Sequence, residues 1–106
     1  MLFSNKDAKP ISMLPGLVRR TLAQGDALML CEFKFDAQVE IPMHTHPQEQ
    51  VGYVVEGHVE MTIGDTKYEL RKGDSYLAPS NVPHGAFTLE PTTIVDTFYP
   101  PREDYQ

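Results

Sequence analysis

Three histidines carry the densest chemistry in this chain. His44 and His46 stand two residues apart in an extended segment. Side chains with that spacing on a strand project from one face, roughly 7 Å apart along the backbone, a span one metal ion can bridge. Gln50 follows four residues after His46, beyond the bend made by Pro47, and offers an amide oxygen. His84 lies on a later segment behind Pro79 and Pro83. Three nitrogens and one oxygen would leave coordination positions open. Glu49 is a rival for the oxygen position; strand parity favours Gln50, and a bulge after Pro47 would exchange the two. His58, just past Gly57, reads as an ordinary hydrogen-bonded or surface histidine. Sites of this N/O type accept nickel, zinc, manganese, iron or copper as the divalent ion.

A second cluster lies near the end of the chain. In the stretch Thr93 to Tyr99, a period of two puts Ile94, Asp96 and Phe98 on one face, with a carboxylate between two hydrophobes. Facing water, or paired with Arg102, that aspartate is structural. Facing the interior, it is a candidate general acid/base whose pKa is set by its surroundings. Arg102, after Pro100-Pro101, either orients Asp96, forks onto a substrate carboxylate or sits solvated at the surface.

The elements that must position these groups are strands. Nine prolines and seven glycines punctuate short alternating segments, and no sustained helical period occurs. The pattern predicts strands over Leu17–Leu22, Leu28–Phe35, Gln38–His44, Val51–Glu56, His58–Ile63, Lys67–Arg71, Ser75–Ala78, His84–Leu89 and Thr93–Tyr99. Gly57, Gly64-Asp65 and Lys72-Gly73-Asp74 supply the reversals. The expected architecture is an all-β sandwich or barrel. The first ten or so residues and the Pro100-Pro101 tail are expected to be looser.

A chain of 106 residues makes one small domain. Its 41% hydrophobic and 23% charged residues are ordinary globular usage, which excludes disorder and fibrous repeats. The longest apolar run, Ala27 to Cys31, is far short of a membrane helix, and a soluble cytoplasmic protein is expected. A net charge of −6 argues against phosphate backbones and acidic membranes as partners. An anionic ligand therefore needs a local positive charge. Three neutral imidazoles and one neutral amide would leave a dication its full double charge, a strong anion attractor. The single cysteine, Cys31, has no intrachain disulfide partner and reads as a small buried hydrophobe.

The histidine spacing resembles the cupins. Their first motif runs Gly, five residues, His-x-His, three or four residues, Glu, six residues, Gly; here His44-Thr45-His46, Gln50 and Gly57 fall at those spacings. Their second motif is matched by Gly73, Pro79 and His84. Departures are Gln38 for the opening Gly, Gln50 for Glu, Asn81 for the middle Gly and Thr88 for the closing Asn. The start Gly-Leu-Val-Arg-Arg, the run around His44 to Val54 and the tail Asp-Thr-Phe-Tyr-Pro-Pro-Arg-Glu-Asp-Tyr are similar to the small pectin-degradation cupins. The resemblance implies a single-domain double-stranded β-helix, or jelly-roll barrel, over residues 1–106, with its core at about 28–99. It further implies linearisation of 4,5-unsaturated monouronates from pectin or alginate to the open-chain keto acid. On that reading His44, His46, Gln50 and His84 hold the metal, Asp96 is the acid/base, Phe98 is a pocket wall, and Arg102 orients or binds carboxylate. Rival expectations are a metal-dependent cupin dioxygenase and a non-catalytic sugar-binding barrel. With Gln50 and His84 inward, Val51, Tyr53, Val55, Phe87 and Leu89 point outward, and that apolar surface predicts a homodimer.

Overall fold

The structure, a computed structural model, describes residues 1–106 as ten strands in two antiparallel sheets. The strands are β1 (Ile11–Leu14), β2 (Leu17–Gln24), β3 (Met29–Phe35), β4 (Glu40–His44), β5 (Glu49–Glu56), β6 (His58–Ile63), β7 (Thr66–Arg71), β8 (Ser75–Ala78), β9 (His84–Thr88) and β10 (Thr92–Tyr99). The larger sheet has the order β1-β2-β3-β10-β5-β8 and the smaller β4-β9-β6-β7. All nine expected strands are present with small shifts at their ends. The tenth, β1, joins β2 through Pro15-Gly16, where Gly16 takes the left-handed conformation at φ 85°. Four residues between two prolines are too few to show a period. Met13 and Leu14 hold this strand by packing on the core, and β1 and β2 extend the larger sheet beyond residues 28–99.

β10 runs through the middle of the larger sheet, between β3 and β5. Its alternation buries Thr92, Ile94, Asp96 and Phe98 on the inner face. Val54 of β5, Met29 and Cys31 of β3 and Val59 of β6 are fully enclosed with them. Burying each such large apolar side chain contributes about 1.5–3 kcal/mol before the entropy of ordering it is subtracted. The opposite face of β5 carries Val51, Tyr53 and Val55, all exposed along with Leu89, whereas Phe87 is half-buried. No helix is long and apolar enough to cross a membrane.

Two turns explain how the chain does without glycines. Gln38 and Asn81 both adopt left-handed backbone, at φ 61° and 62°. A non-glycine residue there costs about 1–2 kcal/mol, less for asparagine. Thr88, fully buried, holds the first turn: its hydroxyl donates to the carbonyl of Asp36 at 2.7 Å and accepts from the amide of Val39 at 3.0 Å. The Gln38 amide donates to the carbonyl of Thr88 at 2.7 Å. The short hydroxyl at position 88 thereby pins the strained turn that leads into β4. Asn81 donates its amide hydrogen to the carbonyl of His46 at 2.9 Å, tying the second turn to the histidine loop.

The tail does not behave as the proline pair suggests. After Pro100-Pro101 the chain turns through Glu103–Tyr105 and returns to the core. Tyr105 is buried edge-on against Phe33 and Phe98, at ring separations of 6.1 and 5.7 Å, and its carbonyl accepts the Thr21 hydroxyl at 2.5 Å. One aromatic residue past the prolines overrides the local signal, because re-entry buries a large ring.

Candidate metal centre and the acid that faces it

His44 ends β4 and lies opposite His84 of β9 in the ladder; His46 follows in the turn before β5. Their ligand atoms all lie within 4.8 Å of one another. Each Nδ1 faces a backbone carbonyl two residues away: Pro42 at 2.9 Å for His44, Gln48 at 3.0 Å for His46 and Val82 at 3.0 Å for His84. A carbonyl only accepts, so each Nδ1 carries the hydrogen, and Nε2 is left as a lone pair in the neutral ring. Burial lowers the pKa of His46 and of His84, which favours that neutral, ligating form. The Nε2 of His84 is buried with no hydrogen-bond partner. An orphaned buried acceptor costs about 1–3 kcal/mol, a cost that a cation removes.

Gln50, at the start of β5, points inward, while Glu49 beside it is exposed on the other face. Parity therefore separates the two rivals. The Gln50 amide nitrogen donates to Asp96 Oδ2 at 3.1 Å and to the Tyr76 hydroxyl at 2.6 Å, and its Oε1 lies 2.9 Å from His46 Nε2. With Nδ1 of His46 already donating, two acceptor atoms face each other across that gap. A shared cation relieves the repulsion. The donor set of three imidazoles and an amide oxygen fits a divalent transition metal.

Asp96 sits in the middle of β10, buried. Its Oδ1 accepts the Tyr76 hydroxyl at 2.6 Å and its Oδ2 accepts the Gln50 amide. Burial raises its pKa to about 7 against the opposing pull of these two hydrogen bonds. Burial likewise raises Tyr76 well above the usual phenol value, so its hydroxyl is a donor at neutral pH. Tyr76 and Asp96 lie two strands apart, with Gly52 between them in register. A Cβ at Gly52 would fall 2.1 Å from Asp96 Oδ1 and 2.2 Å from the Tyr76 ring, so only glycine lets the two meet. Sequence reasoning does not find Tyr76 or Gly52. The available signal is a lone glycine in the run Val51 to Val55, which marks close approach of neighbouring groups.

Phe98 is fully buried, packs edge-on to His46 at 5.9 Å and forms part of the cavity wall. Arg102 does not orient Asp96. Its guanidinium forks onto Asp104, at 3.0 and 3.3 Å, and stacks over Tyr105 at 3.9 Å and Phe98 at 5.4 Å. The turn after Pro101 brings Asp104 closer to it than any strand carboxylate. His58 stands apart, facing Glu69 at 3.1 Å. The cavity has a volume of about 140 Å³ and is lined by His44, His84, Gln50, Tyr76, Asp96 and Arg102 at its polar end, with an apolar body. At about 30 Å³ per water that is room for roughly five waters, the scale of one sugar ring rather than a chain of them.

Residues 31–98 match the family described as Cupin_2, cupin domain. Pectin degradation protein KdgF of Dickeya dadantii (strain 3937) is 34% identical over 92 residues, which are 85% of this chain and 84% of that protein. The structure of KdgF from Halomonas sp. superposes with a TM-score of 0.94 at 34% identity, covering 100% of this chain and 98% of that one. H2HPP isomerase of Bacillus subtilis is 35% identical over 72 residues, 67% of this chain but 30% of that protein. With the spacing, the sheet order and the histidine cluster all in agreement, the chain belongs to the cupin family, in the company of the pectin degradation protein KdgF.

Proposed function

We propose that this protein linearises 4,5-unsaturated monouronates released from pectin or alginate, giving the open-chain keto acid. The observation that carries this reading is a cavity the size of one sugar ring, lined by His44 and His84 of the three-imidazole cluster and by the buried carboxyl group of Asp96. Likeness to KdgF over nearly the whole chain supports the substrate class, and the isomerase relative supports an isomerisation.

The reaction moves protons without net gain or loss of atoms or electrons. The hemiacetal opens as the anomeric hydroxyl gives up a proton, the bond from the anomeric carbon to the ring oxygen breaks and that oxygen takes a proton; the enol so released becomes a ketone when a proton is added to the double-bond carbon and the enol hydroxyl gives one up. A group that both gives and takes a proton near neutral pH serves best, and Asp96, with its pKa at about 7, meets that requirement. A divalent ion held by His44, His46, His84 and Gln50 would supply Lewis acidity that stabilises negative charge on substrate oxygen. Arg102 at the cavity edge, stacked on Phe98, offers its remaining N–H groups to the substrate carboxylate. Phe98 excludes water behind the ring. The same reading includes a homodimer through the outer face of β5, where Val51, Tyr53 and Val55 are exposed; sedimentation as a monomer at micromolar concentration would contradict it.

The test is to incubate nickel-loaded protein with unsaturated monouronate and follow the ultraviolet absorbance of the ring double bond. Accelerated loss of absorbance is expected, suppressed by a chelator and by Asp96→Asn. Oxygen uptake during turnover would indicate the dioxygenase instead, and binding without absorbance loss would indicate a sugar-binding barrel.

A further inference from the structure

The amide of Gln50 faces two different partners with its two ends. Its oxygen lies 2.9 Å from His46 Nε2, among the imidazole lone pairs, and its nitrogen donates to Asp96 Oδ2 at 3.1 Å. A carboxylate could fill the first role but not the second: with no N–H to donate, it could meet Asp96 only by sharing a proton, which would tie up the proton Asp96 must give and take. Asp96 is buried, so each donor it accepts from matters more than it would in water. Its other oxygen is held by Tyr76, which reaches across the gap left at Gly52 and also accepts from the Gln50 nitrogen at 2.6 Å. Gln50, Tyr76 and Asp96 thus form a closed triangle of hydrogen bonds on the inner face of β5, β8 and β10.

We propose that Gln50 and Tyr76 are positioning residues that fix Asp96 in the cavity, and that glutamine rather than glutamate stands at position 50 because Asp96 requires an amide donor there. The inference rests on the proposed roles of Asp96 and the metal. It adds that position 50 couples the two walls, so its side chain can be changed in a way that keeps one function and loses the other. Gly52 belongs to the same device, since any larger residue would separate Tyr76 from Asp96.

The experiment compares the full-length protein with Gln50→Glu, Tyr76→Phe and the double variant Gln50→Glu/Asp96→Asn. Nickel affinity is read by calorimetry, the melting temperature is taken without metal, and kcat and KM are measured on unsaturated monouronate. Gln50→Glu should keep nickel affinity within about tenfold while kcat falls roughly 100-fold and KM changes little. Tyr76→Phe should leave nickel affinity unchanged and lower kcat about tenfold. The double variant restores a donor–acceptor pair with reversed polarity, an amide at position 96 donating to a carboxylate at position 50. It should recover the metal-free melting temperature lost by Gln50→Glu without recovering kcat. Full kcat in Gln50→Glu with nickel bound would overturn the proposal, as would a double variant no more stable than Gln50→Glu. Should Gln50→Glu fail to fold, Tyr76→Phe decides, and unchanged kcat there would overturn the proposal. If the wild-type protein turns over no unsaturated monouronate, the proposed function fails, and recovery of the melting temperature still decides whether the amide positions Asp96.

Discussion

The two walls of the cavity are built by different means. On the imidazole wall each histidine is anchored by a carbonyl only two residues away, so the geometry is set locally by β4, the loop after it and the turn before β9. On the acid wall the bonds join residues 20, 26 and 46 positions apart, and they exist only because β5, β8 and β10 are in register. The local wall presents unfilled acceptors; the long-range wall is filled internally. One wall presents three imidazoles positioned for a metal ion, and the other is a mount for a single carboxyl group. Gln50 touches both.

Loss of imidazoles gives the largest expected effect. Removing two of the four proposed ligands, His44→Ala/His84→Ala should weaken nickel binding by at least about a thousandfold, roughly 4 kcal/mol, read by calorimetry, with circular dichroism retaining the sheet. The mount should respond to pH instead. Asp96 titrates at about 7 in the folded chain against 3.8 as the ordinary value. Between those values the metal-free native state holds a proton that the unfolded chain has lost, so the contribution to stability is greatest below the ordinary value and declines as pH rises through the folded one. The decline is on the order of 4 kcal/mol, and Asp96→Asn should flatten it in denaturant titrations across that range.

Crowding the acid wall should cost less. Gly52→Ala places a methyl group against Asp96 and Tyr76 and should destabilise the protein by about 1–3 kcal/mol, read from urea unfolding, while nickel affinity stays near wild type. A fall in nickel affinity comparable to that of the histidine variants would erase the distinction between the walls. The smallest effect belongs to the exposed fork on Arg102: Asp104→Asn should change stability by no more than about 0.5 kcal/mol.

How much of the molecule is legible in its sequence follows the same division. His44, His46 and His84 are marked by short spacings and by the turns around them, and the strands that carry them alternate cleanly. Asp96 and Phe98 are visible as inward positions of a period-two strand, and parity ranks Gln50 above Glu49. Tyr76 is not visible, since nothing local in Ser75 to Ala78 indicates that β8 pairs with β5 opposite Gly52. The pairing of Arg102 with Asp96 fails because its true partner depends on the turn after Pro101. Tyr105 escapes notice because a proline pair suggests departure from the core, whereas a buried ring brings the tail back. Gln38 shows the converse: the turn keeps its left-handed geometry without glycine, since Thr88, distant in sequence, holds it.

In the proposed centre three imidazoles and the Gln50 amide oxygen converge on one dication, with Asp96 held nearby but outside its ligand set. Anomalous diffraction from nickel-loaded crystals tests it most directly. A single strong peak is expected within bonding distance of His44, His46, His84 and Gln50 Oε1, with Asp96 still bonded to Tyr76 and the Gln50 nitrogen. A peak ligated by the Asp96 carboxylate, or no peak among the histidines, would contradict it.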